Sequence, residues 1–277
     1  MLKNKDIIKY DSKNMHSVIE SFYQQIKNSF DIVESVKIRK NISYRNIICC
    51  GMGGSSIGGL FVNELISKDI KIPLSINNNY NLPNWASENS LVILTSYSGN
   101  TEETISCFRE CLSKNINPII MTSGGCLLKK AIQNNLIHFK IPTGIVPRAA
   151  FGYLSSMLLL ILVELKIIGK FYKEQLSNIP NELLALSKRN VILNENNKSL
   201  NLALEMKNSN IIIYCTPLTK SIGYRFKSQL SENSKVLSFY NFLPELNHND
   251  IEGYTNLLNE KYFILWISDI DEKPEIL

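Results

Sequence analysis

Short, almost wholly apolar runs recur through the first half of the chain, and they constrain the fold more than any other feature. The runs are NIICC (Asn46–Cys50), KIPLSI, SLVILTS, NPIIMTS and LIHFKIP. Such runs are typical of strands that are covered on both faces, as in parallel sheets, and the connections between them are long enough to hold helices. The alternation of strand, loop and helix predicts a doubly wound α/β domain, in which ligands bind at the carboxyl ends of the strands.

A similar order of elements returns in the second half, after the polar stretch NENNKSLN. The segment SNIIIYCTPLTKSIGYRFKSQLSE echoes RNIICCGMGGSSIGGLFVNELISK, because both contain a strand, a loop, Ser-Ile-Gly and a helix. KVLSFYNFLPE and KYFILWISD predict further strands. We therefore expect two related α/β domains, residues 1–150 and 151–277. The second is expected to be incomplete, because a sheet equal to the first needs more strands than are visible there.

Composition and charge exclude several classes of protein. With 277 residues and a net charge of +5, the chain is long enough for sizeable cores, and its lysines are scattered. Nucleic-acid binding is therefore not expected. The start, MLKNKDIIKYDSK, lacks the apolar segment of a signal peptide. The apolar stretch 149–165 is interrupted by polar residues and carries Glu164, so we predict a helix buried within protein and no membrane span.

The cysteine pattern favours a reducing, cytoplasmic location. None of the six cysteines belongs to a CxxC pair, and the chain has only three histidines, so no metal site is expected. Most of the cysteines lie in apolar or helical stretches, which is typical of buried, reduced thiols.

The region before the first strand has the periodicity of an amphipathic helix. Apolar residues recur there at steps of three and four, at Met15, Val18, Phe22, Ile26, Phe30 and Val33. This spacing predicts one helix.

A glycine-rich loop follows the first predicted strand. Residues 51–59, GMGGSSIGG, carry glycines that let backbone amides approach a ligand, and they open a helix, whose first amides form an anion site. The loop is neither a Walker loop nor a complete dinucleotide fingerprint. A tight strand-to-helix turn is the alternative interpretation.

A second polar loop, SYSGNTEET, places the hydroxyls of Ser96, Ser98 and Thr101 around Gly99. Ser and Thr are common helix N-caps, so a purely structural role for Thr101 and Thr104 stays open. Three hydroxyls around a glycine exceed what a cap needs. Neutral donors without a lysine suit a terminal phosphate monoester that is held by hydrogen bonds without a metal.

Three charged or titratable residues complete the candidate site. Arg148 precedes the apolar stretch at a helix start, where the dipole disfavours a cation, so it indicates an anionic partner. Glu232 lies near the end of a helix, again at the unfavourable end of the dipole, and His248 lies in an Asn-rich loop after a strand. Taken singly, Glu232 and His248 fit solvated surface residues. Together they offer a base and an acid on loops of the second half.

In order, the motifs GMGGSSIGG, SYSGNTEET, PRAAFGYL, ENSK and PELNHNDIEG resemble those of the bifunctional phosphoglucose/phosphomannose isomerases. That family is built from two sugar-isomerase (SIS) domains with a flavodoxin-like parallel sheet. The first two motifs are widespread among SIS proteins and imply only phosphosugar binding. The last three distinguish this family from sugar-phosphate-sensing regulators and aminosugar synthases.

The resemblance implies a role for each candidate residue. Gly53, Gly54 and Ser55 of the glycine loop, with Ser96, Ser98 and Thr101, would hold the 6-phosphate. Glu232 would move a proton between the first two carbons of the open-chain sugar, and Arg148 would stabilise the enediolate. His248 would assist ring opening in the site of the neighbouring subunit, which implies a homodimer. The chemistry implies no cofactor and no metal.

The chain departs from the family pattern at its C-terminus. Family members continue into a helix with a lysine thought to act in ring opening, and no residue here matches that lysine, because Lys273 lies too early in an acidic tail. We expect a shortened or fragmentary member, or one completed by a partner chain, with YFILW as an uncovered sheet edge. The rival hypothesis is a degenerate SIS protein that binds a phosphosugar without isomerising it. A nucleic-acid regulator lacks support, because the sequence has no helix-turn-helix pattern.

Overall fold

The computed structural model describes residues 4–38, 43–191, 193–256 and 261–272. The chain forms two compact units, Met1–Val191 and Ile192–Leu277. Lys273, which lies too early in the sequence to match the lysine of the family's C-terminal helix, is outside the described residues.

Three helices precede the first sheet: α1 (Asn4–Tyr10), α2 (Met15–Glu20) and α3 (Phe22–Glu34). The single helix predicted from Met15 onward is thus two helices, interrupted at Ser21, whose backbone leaves helical geometry at φ −91° and ψ 10°. The Ser21 hydroxyl donates to the Ser17 carbonyl at 2.9 Å, a local bond that competes with regular helix hydrogen bonding.

The first sheet contains β1 (Asn46–Cys50), β2 (Leu74–Asn77), β3 (Ser90–Ser96), β4 (Ile119–Thr122) and β5 (His138–Lys140). Their order is β2-β1-β3-β4-β5, and all described pairs are parallel. Every predicted strand is confirmed, and β3 is buried along its whole length, as the continuous apolar pattern requires. Because the strands are parallel, their carboxyl ends share one edge.

Helices cover both faces of this sheet. One face packs against α4 (Gly54–Leu65) and α7 (Phe151–Glu164), and the other against α5 (Glu102–Ser113) and α6 (Gly125–Gln133). A short 3₁₀ turn, Pro147–Ala149, precedes α7. All residues of α7 from position 152 to 163 are buried, so the predicted buried helix is confirmed. Within the described part of the chain, no helix combines the length and the apolarity that crossing a bilayer requires.

The division between the two units lies later than the predicted one. It falls after Val191, because α7 packs against α3 and α4, and α8 (Phe171–Val191) packs against α3 and α7. The apolar helix that was expected to open the second domain is therefore part of the core of the first unit.

The second unit has the same order of elements at its start. It contains α9 (Lys198–Met206), β6 (Asn210–Cys215), α10 (Lys220–Gln229), β7 (Ser238–Phe242), α11 (Asp250–Gly253) and β8 (Tyr262–Ile267). These strands form a parallel sheet in the order β7-β6-β8, which matches β2-β1-β3 of the first unit. The fold class of parallel α/β sheets is confirmed. Within the described residues, β8 is an edge strand, as expected, with Trp266 53% exposed.

The Ser-Ile-Gly echo between the halves does not align equivalent residues. Ile57 is buried, whereas Ile222 is 43% exposed. A Cβ atom on Gly59 would lie 3.4 Å from the Cys49 Cβ, and one on Gly223 would overlap the Cys215 sulphur. Gly59 and Gly223 thus each lie close to a cysteine of the strand that precedes their own helix, β1 and β6 respectively.

Candidate functional site

The glycine loop after β1 is held in place by hydrogen bonds from a neighbouring strand. Asn78, which follows β2, donates from Nδ2 to the Gly51 carbonyl and to the Ser56 hydroxyl, each at 2.6 Å. Gly53 has φ +50°, a left-handed conformation that favours glycine, and it leads into α4. The loop therefore presents the first amides of a twelve-residue helix at the carboxyl edge of the sheet.

The glycine loop contacts both the second loop and the turn that carries Arg148. The Tyr97 amide donates to the Ser55 Oγ at 3.2 Å, which joins the loops after β1 and β3. A Cβ on Gly54 would lie 3.0 Å from the Pro147 carbonyl oxygen and 3.1 Å from the Arg148 Cα. Only a glycine permits this approach without movement, so Gly54 brings the backbone of Arg148 against the anion-binding helix start.

The hydroxyls of SYSGNT differ in burial and in role. Ser96 is buried, its Oγ lies 2.8 Å from the Thr101 Oγ1, and it accepts a hydrogen bond from the Gly99 amide at 3.0 Å. Ser98 is exposed, and its Oγ accepts from the Asn100 amide at 3.3 Å. Thr101 occupies the N-cap position of α5 but makes no side-chain cap hydrogen bond. Its hydroxyl pairs with Ser96, so the simple N-cap interpretation does not account for it.

A third loop, TSGG (Thr122–Gly125), runs from the last residue of β4 to the first residue of α6 and was missed by the sequence analysis. Gly99 has φ +69°, and a Cβ there would overlap the Gly124 carbonyl oxygen. The Leu127 amide donates to the Gly99 carbonyl at 2.9 Å, and the Cys126 amide donates to the Asn100 Oδ1 at 2.9 Å. The third loop thus fixes the shape of the second. A glycine pair between an apolar run and a helical pattern was the available signal.

The seven candidate residues of the first unit therefore lie along one edge of its sheet, on the loops after β1 and β3 and on the turn before α7. They are Gly53, Gly54, Ser55, Ser96, Ser98, Thr101 and Arg148. Helix-start amides and hydroxyl groups favour an anionic ligand, and the half-buried Arg148 brings a positively charged residue to the same edge.

In the second unit, Glu232 lies in a π-helical turn, Leu230–Ser234, that continues α10. Such turns are frequent at functional sites. The Lys235 Nζ donates to the Glu232 carbonyl at 2.7 Å and closes the turn. Burial lowers the pKa of Arg225 to about 10, while the negative charge of Glu232 acts in the opposite direction. The charge of Glu232 thus acts on the Arg225 guanidinium, an electrostatic interaction that the sequence analysis did not identify.

His248 ends a 3₁₀ turn, Glu245–His248, that follows β7. Both His248 and Glu232 are exposed, so burial alone does not exclude the surface-residue interpretation. Glu232 precedes β7 and His248 follows it, so the chain passes along the whole of this five-residue strand, about 15 Å at about 3.3 Å per residue, between the two segments that carry them.

Other features of the described residues bear on the predicted chemistry. No cluster of three or more His, Cys, Asp or Glu side chains among them has a metal-binding arrangement. A mostly apolar groove of about 780 Å³ lies at the amino edge of the second sheet, between α9, α10 and the start of β6. None of the predicted site residues lines this groove.

Comparison with known proteins supplies the family. The model of the bacterial phospho-glucose isomerase C-terminal SIS domain matches residues 195–277. A bifunctional phosphoglucose/phosphomannose isomerase from Aquifex aeolicus is 32% identical over 263 residues, which make up 94% of this chain and 76% of that protein. The chain belongs to the bifunctional phosphoglucose/phosphomannose isomerase family. A second member, from Caldicellulosiruptor bescii, is 35% identical over 85% of this chain and 71% of its own length.

Among solved structures, the C-terminal domain of glucosamine-fructose-6-phosphate aminotransferase from Francisella tularensis shares the fold of this isomerase-family chain. The TM-score is 0.69 at 18% identity, and the match covers 92% of this chain and 76% of that one. At this identity the likeness shows the fold alone. The family assigned from the five motifs is confirmed, whereas the roles of individual site residues stay predictions.

Proposed function

We propose that this protein is a sugar-phosphate isomerase that interconverts glucose 6-phosphate, mannose 6-phosphate and fructose 6-phosphate through an enediolate. The observation that carries the proposal is a three-loop cradle at the carboxyl edge of the first sheet, with Arg148 packed against it, in a chain that belongs to this isomerase family. The proposed location is the reducing cytoplasm, which is supported by six free cysteines, five of them buried.

The cradle would hold the 6-phosphate without a metal. The Ser55 hydroxyl, the exposed Ser98 hydroxyl and the Thr101 hydroxyl are the proposed direct donors, together with the amides at the start of α4. Charge-assisted hydrogen bonds of this kind are stronger than those between neutral groups. Ser96 is too buried for direct contact, so we assign it the task of orienting Thr101, to which it is bonded.

Proton transfer would use one base and one cation. The Glu232 carboxylate removes the proton from the second carbon of the open-chain aldose, which leaves a cis-enediolate. The hydroxyl proton on the oxygen of the second carbon moves to the oxygen of the first carbon, and Glu232 returns its proton to the first carbon to form the ketose. The Arg148 guanidinium stabilises the negative charge on the enediolate oxygen, a contribution that is largest in a site that excludes water. The glucose and mannose forms share this enediolate, so one base serves both.

A homodimer with shared sites is part of the proposal. Glu232 precedes β7 and His248 follows it, and this arrangement supports the proposal that the two residues acting on one substrate come from different copies. A His248 contributed by a second copy resolves the separation. That histidine would protonate the ring oxygen when the sugar opens.

The test is to incubate the purified protein with fructose 6-phosphate and to measure glucose 6-phosphate and mannose 6-phosphate with coupled enzymes. We expect turnover by the wild type and loss of at least about a hundredfold in Glu232→Gln, the usual scale for removal of a catalytic base. Absence of wild-type turnover, or full activity of the variant, contradicts the proposal. Thermal stabilisation by sugar phosphates without turnover would instead favour the rival hypothesis of a phosphosugar-binding protein.

A further inference from the structure

A buried tyrosine at the carboxyl end of the second sheet has no part in the chemistry proposed above. Tyr214 is the penultimate residue of β6 and is 4% exposed. Its hydroxyl accepts a hydrogen bond from the Tyr254 hydroxyl at 2.8 Å. Burial, together with hydrogen bonding to Tyr254 and to the Asp250 carboxylate, raises the pKa of Tyr214, so its hydroxyl keeps the proton that it donates to Asp250.

The hydrogen-bonded chain continues to the strand beside Tyr214. Asn241, which pairs with Tyr214 across β6 and β7, donates from Nδ2 to the Asp250 Oδ1 at 3.0 Å. The Asp250 carboxylate is thus held from two adjacent strands. A chain of polar groups within an otherwise apolar cluster is stable only when each group has a hydrogen-bond partner. When all of them do, the chain fixes one arrangement of the segments that it joins.

The segment that this chain holds is the one that carries His248. The turn Glu245–His248 and the helix Asp250–Gly253 are four residues each, too short to be stable without tertiary contacts. Before His248, Leu246 is buried in the same cluster as Tyr214. After it, Asp250 and Tyr254 are tied to Tyr214. The exposed histidine therefore lies between an apolar anchor and a polar one.

We propose that the Tyr254–Tyr214–Asp250 chain is a positioning device that fixes His248 at the carboxyl edge of the second sheet. A phenylalanine at position 214 would fill the same volume, so the hydroxyl itself is needed for orientation and not for packing. The catalytic importance of this positioning rests on the proposed function, in which His248 acts as the proton donor. The placement of the histidine does not depend on that function.

The first test observes His248 directly. The protein has three histidines, so a ¹⁵N-histidine-labelled sample gives three sets of ring signals, and His248→Gln identifies those of position 248. We expect Tyr214→Phe and Tyr254→Phe to shift or broaden the His248 signals and to leave the other two sets unchanged. The control is Tyr240→Phe, which removes a tyrosine hydrogen bond of similar length, 2.9 Å to the Lys220 carbonyl, on the opposite face of the same sheet.

Unchanged His248 signals in both variants overturn the proposal, as does an equal change in Tyr240→Phe. If Tyr214→Phe does not fold, Tyr254→Phe decides, because Tyr254 is only partly buried. The second test measures turnover of fructose 6-phosphate, for which we expect kcat to fall about tenfold in both variants with KM within about twofold, because a misplaced acid affects proton transfer and not phosphate binding. If the wild type shows no turnover, the proposed function fails, while the histidine signals still decide the positioning role.

Discussion

Replacing Gly99 with alanine should disrupt the phosphate cradle through the backbone alone. Gly99 has φ +69°, and the left-handed region costs an L-residue roughly 1–2 kcal/mol. The added Cβ would also overlap the Gly124 carbonyl oxygen and approach the Thr122 Oγ1 to 2.8 Å. Relieving the overlap separates the second and third loops and endangers the hydrogen bonds that join them, each worth about 1 kcal/mol. We expect the free energy of unfolding of the first unit to fall by about 3 kcal/mol.

Two other glycines separate the contribution of strain from that of overlap. A Cβ on Gly53 meets no atom within 4 Å, but its backbone, at φ +50° and ψ −118°, is one that L-residues rarely adopt, so Gly53→Ala should cost roughly 1–3 kcal/mol through strain alone. Gly124 also has open space, and its φ of 166° is extended, so Gly124→Ala should change the free energy of unfolding by less than about 0.5 kcal/mol. The expected order of destabilisation is Gly99, then Gly53, then Gly124.

Urea unfolding followed by tryptophan fluorescence measures this order. The chain has two tryptophans, so in a Trp266→Phe background Trp85 alone reports on the first unit. Free energies come from the linear dependence on urea concentration. If Gly99→Ala unfolds at the same urea concentration as Gly53→Ala, the close packing of the second and third loops is wrong. If Gly99→Ala unfolds at the same urea concentration as Gly124→Ala, the left-handed conformation assigned to Gly99 is wrong as well.

Three further predictions address the base, the alkaline limit of stability and the edge strand. Arg225→Gln should lower kcat for fructose 6-phosphate about tenfold in steady-state assays, because it removes a positive charge that interacts electrostatically with Glu232, and an unchanged kcat would contradict that role. Burial raises the pKa of Tyr172 from 10.0 to about 12, so the stability from its protonated hydroxyl should be complete below pH 10 and lost towards pH 12. In urea unfolding, Tyr172→Phe should flatten that alkaline decline, and an equal decline in both proteins would refute the assignment. Ile264→Thr should reduce binding of the dye ANS, because Ile264 is 41% exposed on the open face of β8, and unchanged dye fluorescence would show that this face is covered in solution.

Much of the fold could be predicted because its signals are local. Each apolar run became a parallel strand, since a strand covered on both faces must be apolar throughout. The division between units could not be predicted in the same way. The apolar sequence of α7 is compatible both with a helix that begins a second domain and with a helix in the core of the first. Only the packing of α7 against α3 and α4 assigns it to the first unit.

In the candidate site, too, some residues could be predicted from local sequence and others could not. Ser96, Ser98 and Thr101 could be selected from their own hydroxyls, which the sequence displays directly. The third loop contributes mainly backbone atoms, because Gly124 meets Gly99 through a carbonyl oxygen and the Leu127 amide bonds the Gly99 carbonyl. Every residue except proline carries these groups, so no residue type marks the contact. Arg225 was missed for a related reason, because its electrostatic interaction with Glu232, seven positions later, spans the junction of α10 and the π turn, which the sequence pattern does not show.

Glu232 and His248 show that a list of predicted site residues does not reveal how the fold arranges them. They are sixteen positions apart, close enough in sequence to suggest a joint site, yet β7 lies between them and carries the chain from one edge of the sheet to the other. A strand of five residues spans about 15 Å. If both residues act on one sugar, this separation along the chain favours a site shared between two copies of the chain. A mixture of inactive Glu232→Gln and inactive His248→Gln proteins should therefore regain activity when subunits exchange, because some mixed dimers contain one site with both native residues. Failure of this complementation, with subunit exchange verified independently, would refute the shared site.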